Sequence, residues 1–197
     1  MKIYILRHED RTIDCTFFSP LTKKGLDNSL ILVNYLKKIN IDDIYCSPFI
    51  RTLQTINPYI KETNKKLKIE YGLIEIKKEH IIPEYSHNVE LPQYLASIFN
   101  YDPTYDTLID TNEIKFPESE LHLEMRVKKF LKYIINTYYK TNKNILLVTH
   151  QGICTIILKI INKFTSNCVN KNIVYKYELG KLSLIFDTDN WIFKLLN

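Results

Sequence analysis

The sequence predicts a three-layer α/β/α sandwich built around a mostly parallel central sheet. Short apolar segments, typical of buried strands, alternate with segments of about 15 residues whose apolar side chains recur at helical spacing. Such alternation is typical of βαβ units, which place helices on both faces of a parallel sheet. The chain has 197 residues, which is enough for one sizeable core. We therefore expect a single domain over residues 1–197.

Three strands and two helices are predicted in the first part of the chain. Thr22 is a candidate N-cap, because the apolar residues that follow it recur at helical spacing. Pro58 marks a kink or a boundary in the second helix. The predicted elements are a strand at Lys2–Leu6, a helix from about Thr22 to Ile39, a strand at Ile44–Cys46, a helix from about Phe49 to Thr63 and a strand at Leu67–Glu70.

Residues 71–116 are predicted to form a long excursion, because Pro and acidic residues are scattered through them without a sustained period. One short helix is expected near Pro92–Phe99, and an excursion of this length in a compact domain is usually functional. Regular structure resumes after it. The elements predicted there are a helix opened by Pro117–Glu120, a strand at Asn144–Thr149, a helix from Gly152 to about Lys163, and short strands near Ile173–Glu178, Lys181–Phe186 and Trp191–Leu195.

Composition and charge narrow the class of protein. The formal net charge of +5 is spread along the chain, which favours anionic substrates, and no dense basic block indicates a nucleic-acid partner. No apolar run approaches the ~20 residues of a membrane span, so we expect no membrane association and a cytoplasmic location. The four cysteines form no C-x-x-C pair and are typical of reduced cytosolic thiols. No base lies beside Cys46 in the sequence, so we do not expect it to be a catalytic nucleophile.

Polar, reactive residues follow three of the predicted strands. The carboxyl ends of parallel strands meet at one edge of a sheet, where active sites gather. Arginine forks match phosphate oxygens, a helix N-terminus adds N–H donors, and neutral histidine can act as a nucleophile. The three segments are Arg7-His8, Ser47-Pro48 leading to Arg51, and Thr149-His150-Gln151-Gly152. The sequence therefore predicts a phosphate-binding site that contains two histidines.

The order of these motifs resembles the histidine phosphatase superfamily, which includes the phosphoglycerate mutases. The resemblance covers nearly the whole chain, and it implies a phosphoglycerate mutase-like fold and phosphoryl transfer without a metal or another cofactor. The motifs that carry it are Arg7-His8, Leu21-Thr22-x-x-Gly25, Ser47-Pro48-x-x-Arg51-x-x-x-Thr55, Gly72-Leu73-Ile74-Glu75, Pro117-Glu118-Ser119, Arg126-Val127 and Thr149-His150-x-Gly152.

The resemblance also implies roles for individual residues. His8 would attack phosphorus and become phosphohistidine, while Arg7 and Arg51 clamp the phosphoryl oxygens. Glu75 would protonate the leaving oxygen and then activate water, so activity is expected to lean acidic. The other implied roles are donation to the transferring group by His150, assistance to the clamp by Arg11, and a backbone N–H from Gln151 or Gly152.

Arg11 points to one branch of the superfamily. The pattern Arg7-His8-x-x-Arg11 is similar to the branch that contains the Sts protein tyrosine phosphatase domains, in which a third arginine lies three residues after the histidine. The segment from Tyr45 to Thr55 is similar to the same branch. This similarity slightly favours aryl phosphates such as phosphotyrosine as substrates.

Two residues depart from the family pattern. Glu9 stands where the family usually has glycine, and Asp14 where its first loop has Asn. The Glu9 carboxylate would repel phosphate if it pointed inward. Three alternatives are open: Glu9 points outward, it serves as another acid or as a substrate selector, or it reduces or abolishes activity. Other glutamates compete with Glu75 for the acid role, namely Glu70, Glu79, Glu84 and Glu90.

Three functions are compatible with the sequence. We favour metal-independent hydrolysis of phosphomonoesters through a phosphohistidine at His8. A phosphoglycerate mutase-like phosphotransferase is the alternative, although such mutases tend to be longer and to carry extra basic loops. A catalytically weak phospho-ligand-binding module would need the arginines but not His8. The expected substrate is a phosphorylated small molecule or a phosphoprotein, and the sequence leaves its identity and the oligomeric state open.

Overall fold

The computed structural model describes residues 1–78, 90–164, 170, 173–174 and 177–197. The strands in this part of the chain are β1 (Lys2–Arg7), β2 (Asp43–Cys46), β3 (Leu67–Ile69), β4 (Asn144–Thr149), β5 (Leu182–Asp187) and β6 (Asn190–Leu195). They form one sheet in the order β3-β2-β4-β1-β5-β6. The pairs among β3, β2, β4 and β1 are parallel, and β5 pairs antiparallel with β1 and β6. The predicted mostly parallel sheet is therefore confirmed.

The helices lie close to their predicted positions. Thr22 caps the first of them, since its hydroxyl accepts a hydrogen bond from Gly25 N at 3.1 Å. Pro58 lies inside the second rather than at a boundary, because the buried residues on both sides of it anchor the helix against the core. The helices are α1 (Lys23–Ile39), α2 (Ile50–Thr63), α3 (Gln93–Ala96), α4 (Glu120–Tyr138) and α5 (Gln151–Phe164).

Helices cover both faces of the sheet, as predicted. Successive residues of β1 point to opposite faces, so Ile3 and Ile5 belong to one core cluster while Tyr4 and Leu6 belong to another. The first cluster packs under α4 and α5, and the second under α1 and α2. The fold is the predicted α/β/α sandwich. No helix among the described residues is long and apolar enough to span a bilayer.

Two predicted segments, the excursion and the strand near Ile173–Glu178, lie partly outside the described residues. The helix predicted near Pro92–Phe99 is present as α3 followed by a 3₁₀ turn, whereas residues 79–89 of the excursion lie outside the described residues. The strand predicted near Ile173–Glu178 is wrong at Ile173 and Val174, which are helical. Both residues donate their backbone N–H to the Asn170 carbonyl, so a local turn satisfies groups that a strand would have paired across the sheet. Residues 175–176 lie outside the described residues.

Glu70 fastens the excursion to the end of β3. Its side chain is fully buried, and such a carboxylate requires several hydrogen bonds to offset its desolvation. Its donors are Gly72 N at 2.7 Å, Tyr105 Oη at 2.5 Å, Thr107 Oγ1 at 3.1 Å, Leu108 N at 2.9 Å and Ile109 N at 3.3 Å. These bonds hold residues 105–109 against the segment that leads to Glu75.

We expect Glu70→Ala to lower the free energy of unfolding by about 3–5 kcal/mol, because several buried donors lose their shared acceptor at once. Urea denaturation followed by circular dichroism measures this change. Glu62→Ala is the control: Glu62 forms an exposed ion pair with Lys37, and its loss should cost less than about 1 kcal/mol. Equal, small losses in the two variants would show that Glu70 does not anchor the excursion.

Candidate active site

Three neighbouring strands of the sheet end together and bring the predicted site residues to one edge. The strand order places β4 between β2 and β1. Past the strand ends, His8 N donates to the Thr149 carbonyl at 2.9 Å and Ser47 N donates to the Val148 carbonyl at 3.0 Å. These two bonds extend the parallel ladders by one step, so His8, Ser47 and His150 emerge side by side.

His8 and His150 are buried against each other. Their ring centroids are 5.2 Å apart in an edge-to-face arrangement, and the exposed fractions are 3% and 0%. His150 Nε2 lies 2.8 Å from Ser47 Oγ, while its Nδ1 is buried and has no hydrogen-bond partner among the described residues. The sequence motif contains Ser47, but nothing in the sequence indicated that its hydroxyl contacts this imidazole.

A backbone carbonyl fixes the tautomer of His8. Nδ1 lies 2.7 Å from the Glu9 carbonyl oxygen, and because a carbonyl only accepts, Nδ1 must carry the proton. Burial lowers the pKa of His8 well below its ordinary value, and the nearby Arg51 guanidinium lowers it further. Neutral His8 therefore keeps its lone pair on Nε2, which is the state that a nucleophile needs.

His150 is held neutral by the same physical causes. Burial lowers its pKa well below the ordinary value, and the positive charge of Arg51 lowers it further. The two histidines thus add no charge near neutral pH, and the positive charge of the site belongs to its arginines.

Arg51 and Arg7 are held by backbone carbonyls from distant loops. Arg51 donates to the Thr16 carbonyl at 2.9 Å and lies 4.5 Å from the Phe49 ring centroid. Burial lowers its pKa to about 10, so it stays charged at neutral pH. Arg7 donates to the Tyr177 carbonyl at 2.5 Å and to Gln151 Oε1 at 2.6 Å. The Nε atoms of both arginines are buried and make no hydrogen bond within the described part of the chain.

Arg11 joins this group from the loop after β1. Its guanidinium donates to the Thr12 carbonyl at 2.5 Å and to Cys15 Sγ at 2.9 Å. It is also close enough to contribute to the lowered pKa of His8 and of His150. The structure therefore brings all three predicted arginines around the histidine pair, and the Cys15 contact is one that the sequence did not indicate.

Glu75 reaches the site at the N-terminus of α5. Its carboxylate accepts hydrogen bonds from Gly152 N at 3.0 Å and Ile76 N at 2.9 Å, and its charge opposes the lowering of the Arg7 and Arg51 pKa values. A Cβ atom on Gly152 would lie 2.3 Å from Glu75 Oε1, so only glycine permits this approach. The Gly152 N–H faces Glu75, and its role toward a phosphate stays a prediction.

A buried ion pair holds the segment that carries Glu75. Arg126 donates through Nε and Nη2 to the two Glu118 oxygens at 2.9 and 2.7 Å. Its Nη1 donates to the Gly72 carbonyl at 2.8 Å and to the Ile74 carbonyl at 3.2 Å. These carbonyls immediately precede Glu75, so α4 positions the carboxylate. The sequence indicated Glu118 and Arg126 as parts of a motif without this role.

Two of the four glutamates that competed with Glu75 lie elsewhere. Glu70 is fully engaged in anchoring the excursion, and Glu90 is exposed and bonds the Thr111 hydroxyl. Glu79 and Glu84 lie outside the described residues. Among the described glutamates of the excursion, Glu75 is the one whose carboxylate faces the arginines.

Glu9 does not point out to solvent. It is 5% exposed, and its Oε2 accepts a hydrogen bond from Asn28 Nδ2 at 3.1 Å. Burial raises its pKa. The carboxylate packs on Gly180, where an added Cβ would lie 1.9 Å from Oε1 and φ is +65°. Asp14 is exposed and accepts hydrogen bonds from the hydroxyls of Thr12 and Thr16 at 2.6 and 3.2 Å.

Fold and site together define a phosphoglycerate mutase-like α/β/α protein whose paired buried histidines are ringed by arginines. The chain belongs to the histidine phosphatase superfamily (branch 1), whose family model matches residues 9–197. The match begins one residue after His8. In the part of the chain that the structure describes, no three His, Cys, Asp or Glu side chains form a group that could hold a metal ion, and metal independence stays a prediction.

Individual relatives agree with this membership. The chain is 29% identical over 141 residues to the human ubiquitin-associated and SH3 domain-containing protein B, covering 67% of this chain and 21% of that protein. The similarity is consistent with the branch that Arg11 suggested. The matched region spans between 21% and 37% of the length of the curated relatives.

Solved structures share the whole fold at low identity. The ecdysone phosphate phosphatase of Bombyx mori superimposes with a TM-score of 0.71 at 15% identity, covering 100% of this chain and 92% of that one. The phosphoglycerate mutase of Bacillus anthracis superimposes with a TM-score of 0.68 at 20% identity, covering 99% and 91%. The predicted phosphoglycerate mutase-like fold is thereby confirmed.

The lowered histidine pKa values make stability depend on pH. Below about pH 6.5 the unfolded chain takes up protons on both histidines while the folded chain does not, so the free energy of unfolding falls as pH falls. We expect a loss approaching ~1.4 kcal/mol per pH unit for each of the two histidines below that point. Urea denaturation between pH 7.5 and 5.5 measures it. His8→Asn should remove about half of the slope; an unchanged slope would contradict burial of a neutral His8.

Proposed function

We propose that the protein is a phosphatase that hydrolyses phosphomonoesters through a phosphohistidine at His8, without a metal ion. The observation that carries this proposal is the state of His8. Its Nδ1 proton is committed to the Glu9 carbonyl, which leaves Nε2 unprotonated, and three arginines are close enough to lower its pKa further than burial alone does. Attack on phosphorus requires both an unprotonated nitrogen and nearby positive charge, and His8 has both.

The arginines and His150 supply what the transferring phosphoryl group needs. A loose phosphoryl-transfer transition state is stabilised by positioning and positive charge. Arg7 Nε, Arg51 Nε and His150 Nδ1 are three buried nitrogens without a hydrogen-bond partner in the described structure, and such atoms are rare unless a ligand serves them. We assign them to the phosphoryl oxygens, with Arg11 adding charge from the rim.

The proposed reaction has two steps. In the first, His8 Nε2 forms a bond to phosphorus, the phosphorus–oxygen ester bond breaks, and the Glu75 carboxyl gives its proton to the leaving oxygen. In the second, a water oxygen attacks phosphorus as Glu75 takes back a proton, the nitrogen–phosphorus bond breaks, and phosphate leaves. The products are an alcohol or phenol and inorganic phosphate, and the substrate class is a phosphorylated small molecule or a phosphoprotein.

We expect His8→Ala to lower the turnover of p-nitrophenyl phosphate at least ~10³-fold in the presence of EDTA, because the attacking atom is lost. Initial rates between pH 4 and 8 measure this, and circular dichroism reports the fold. His122→Ala, which alters an exposed histidine of α4, is the control and should keep the wild-type rate. Near-wild-type turnover in His8→Ala, or abolition of wild-type turnover by EDTA, would refute the mechanism.

Glu75→Gln should slow the hydrolysis of an alkyl phosphate ~10²-fold or more, and that of p-nitrophenyl phosphate by less than about tenfold. The difference arises because a good leaving group needs little protonation. The kcat values for β-glycerol phosphate and p-nitrophenyl phosphate, compared in the same preparation, measure it. Glu90→Gln alters an exposed glutamate and should change neither value. An equal loss on both esters would remove the acid role from Glu75.

A further inference from the structure

A cavity of about 510 Å³ opens beside the candidate active site. Its lining includes Arg7 and Gln151 of the candidate site together with Glu9, Asp10, Lys24 and Asn28. The volume falls within the usual range of small-molecule pockets, roughly 300–1,000 Å³. Neither histidine lines this cavity, so it is an extension of the phosphoryl site rather than the site itself.

Arg7 connects the cavity to the chemistry. The same guanidinium lines the cavity and belongs to the proposed phosphoryl clamp. Gln151, which accepts a hydrogen bond from Arg7, lines the cavity as well. A phosphate ester bound to Arg7 therefore has the cavity directly available for its organic part.

The charges of the cavity wall favour hydrogen-bond donors. Once the charge of Arg7 is assigned to the phosphoryl group, the described residues of the wall present the carboxylates of Glu9, Asp10 and Glu178 and the ammonium of Lys24. The side chains of Lys24 and Glu178 are exposed, whereas Glu9 is buried, so water screens the interactions of Glu9 least. A second phosphate or a carboxylate on the substrate would face this carboxylate.

The structure holds the Glu9 carboxylate in place. Asn28 of α1 donates to one oxygen, and Gly180 lies against the other in a backbone conformation that side chains rarely adopt. Glu9 N also donates to Thr55 Oγ1 at 3.0 Å, which fixes the backbone next to the nucleophile. A carboxylate fixed in this way can discriminate between ligands, because it cannot turn away from an unfavourable one.

We propose that this cavity holds the organic part of the substrate, that this part carries hydroxyl or ammonium donors and no second anionic group, and that Glu9 determines this specificity. The proposal rests on the proposed phosphatase function and narrows its substrate class. It also gives the residue that replaces the family glycine a positive role.

The test compares four phosphate esters on one preparation at pH 7.5. p-Nitrophenyl phosphate reports the function itself. Phosphoethanolamine carries an ammonium group, glycerol 1-phosphate carries hydroxyls and phosphoglycolate carries a carboxylate, and the three are similar in size. We expect kcat/KM for phosphoethanolamine and glycerol 1-phosphate to exceed that for phosphoglycolate at least ~10-fold, because the carboxylate of phosphoglycolate would face the carboxylate of Glu9. The first two esters distinguish charge from hydrogen bonding alone.

Glu9→Gln should reduce the ratio of kcat/KM for phosphoethanolamine to that for phosphoglycolate about tenfold, because it removes the charge and keeps the shape. The ratio does not depend on the folded fraction, since both esters meet the same molecules. Asp27→Asn is the matched control. It removes one negative charge from an exposed residue of α1 that does not line the cavity, and should leave the ratio within about twofold because water screens an exposed charge.

The possible outcomes distinguish failure of the proposed function from failure of the inference about Glu9. Absence of p-nitrophenyl phosphate hydrolysis in the wild type would overturn the proposed function and this inference together. If p-nitrophenyl phosphate is hydrolysed but kcat/KM is equal for the other three esters, or highest for phosphoglycolate, the inference alone is overturned. Equal shifts in Glu9→Gln and Asp27→Asn would show that the overall field, and not Glu9, sets the preference.

Discussion

The candidate site depends on the parallel pairing of three strands and on the backbone bond from His8 N to the Thr149 carbonyl. The pairing brings β2, β4 and β1 to the same edge of the sheet, and the bond makes the residues after β1 and β4 level with each other. Two imidazoles from positions far apart in sequence thereby become neighbours. The layers of helices on either face then bury them, and this burial keeps both rings neutral beside three arginines.

This environment combines two opposing requirements. The phosphoryl group requires positive charge, while a nucleophile must remain unprotonated. The molecule meets the two requirements with different residue types. The positive charge belongs to guanidinium groups, and even the buried Arg51 keeps a pKa of about 10. The imidazoles, with lower ordinary pKa values, lose their protons first. Two residue types at comparable depth therefore hold different charge states.

The sheet and the position of the site could be predicted from sequence, because both follow from local patterns. Apolar periodicity located the strands, and the residues at their carboxyl ends had to share one edge. The orientation of the arginines could not be predicted, since the carbonyls that hold Arg7 and Arg51 belong to Tyr177 and Thr16, in loops without a regular pattern. The direction of Glu9 depends on Asn28 and Gly180, which the sequence places far from it. Ile173 and Val174 were misassigned because β-branched residues in a short local turn resemble a strand.

Glu75 is fastened on both sides by buried polar groups. Glu70 secures the chain before it, and Arg126 and Glu118 secure the carbonyls and the Lys77 backbone around it. Insertions or deletions farther along the excursion would therefore be absorbed without displacing the proposed acid. In evolutionary terms the arrangement is modular: the outer part of the excursion is able to change in length and sequence while the carboxylate of Glu75 stays in place.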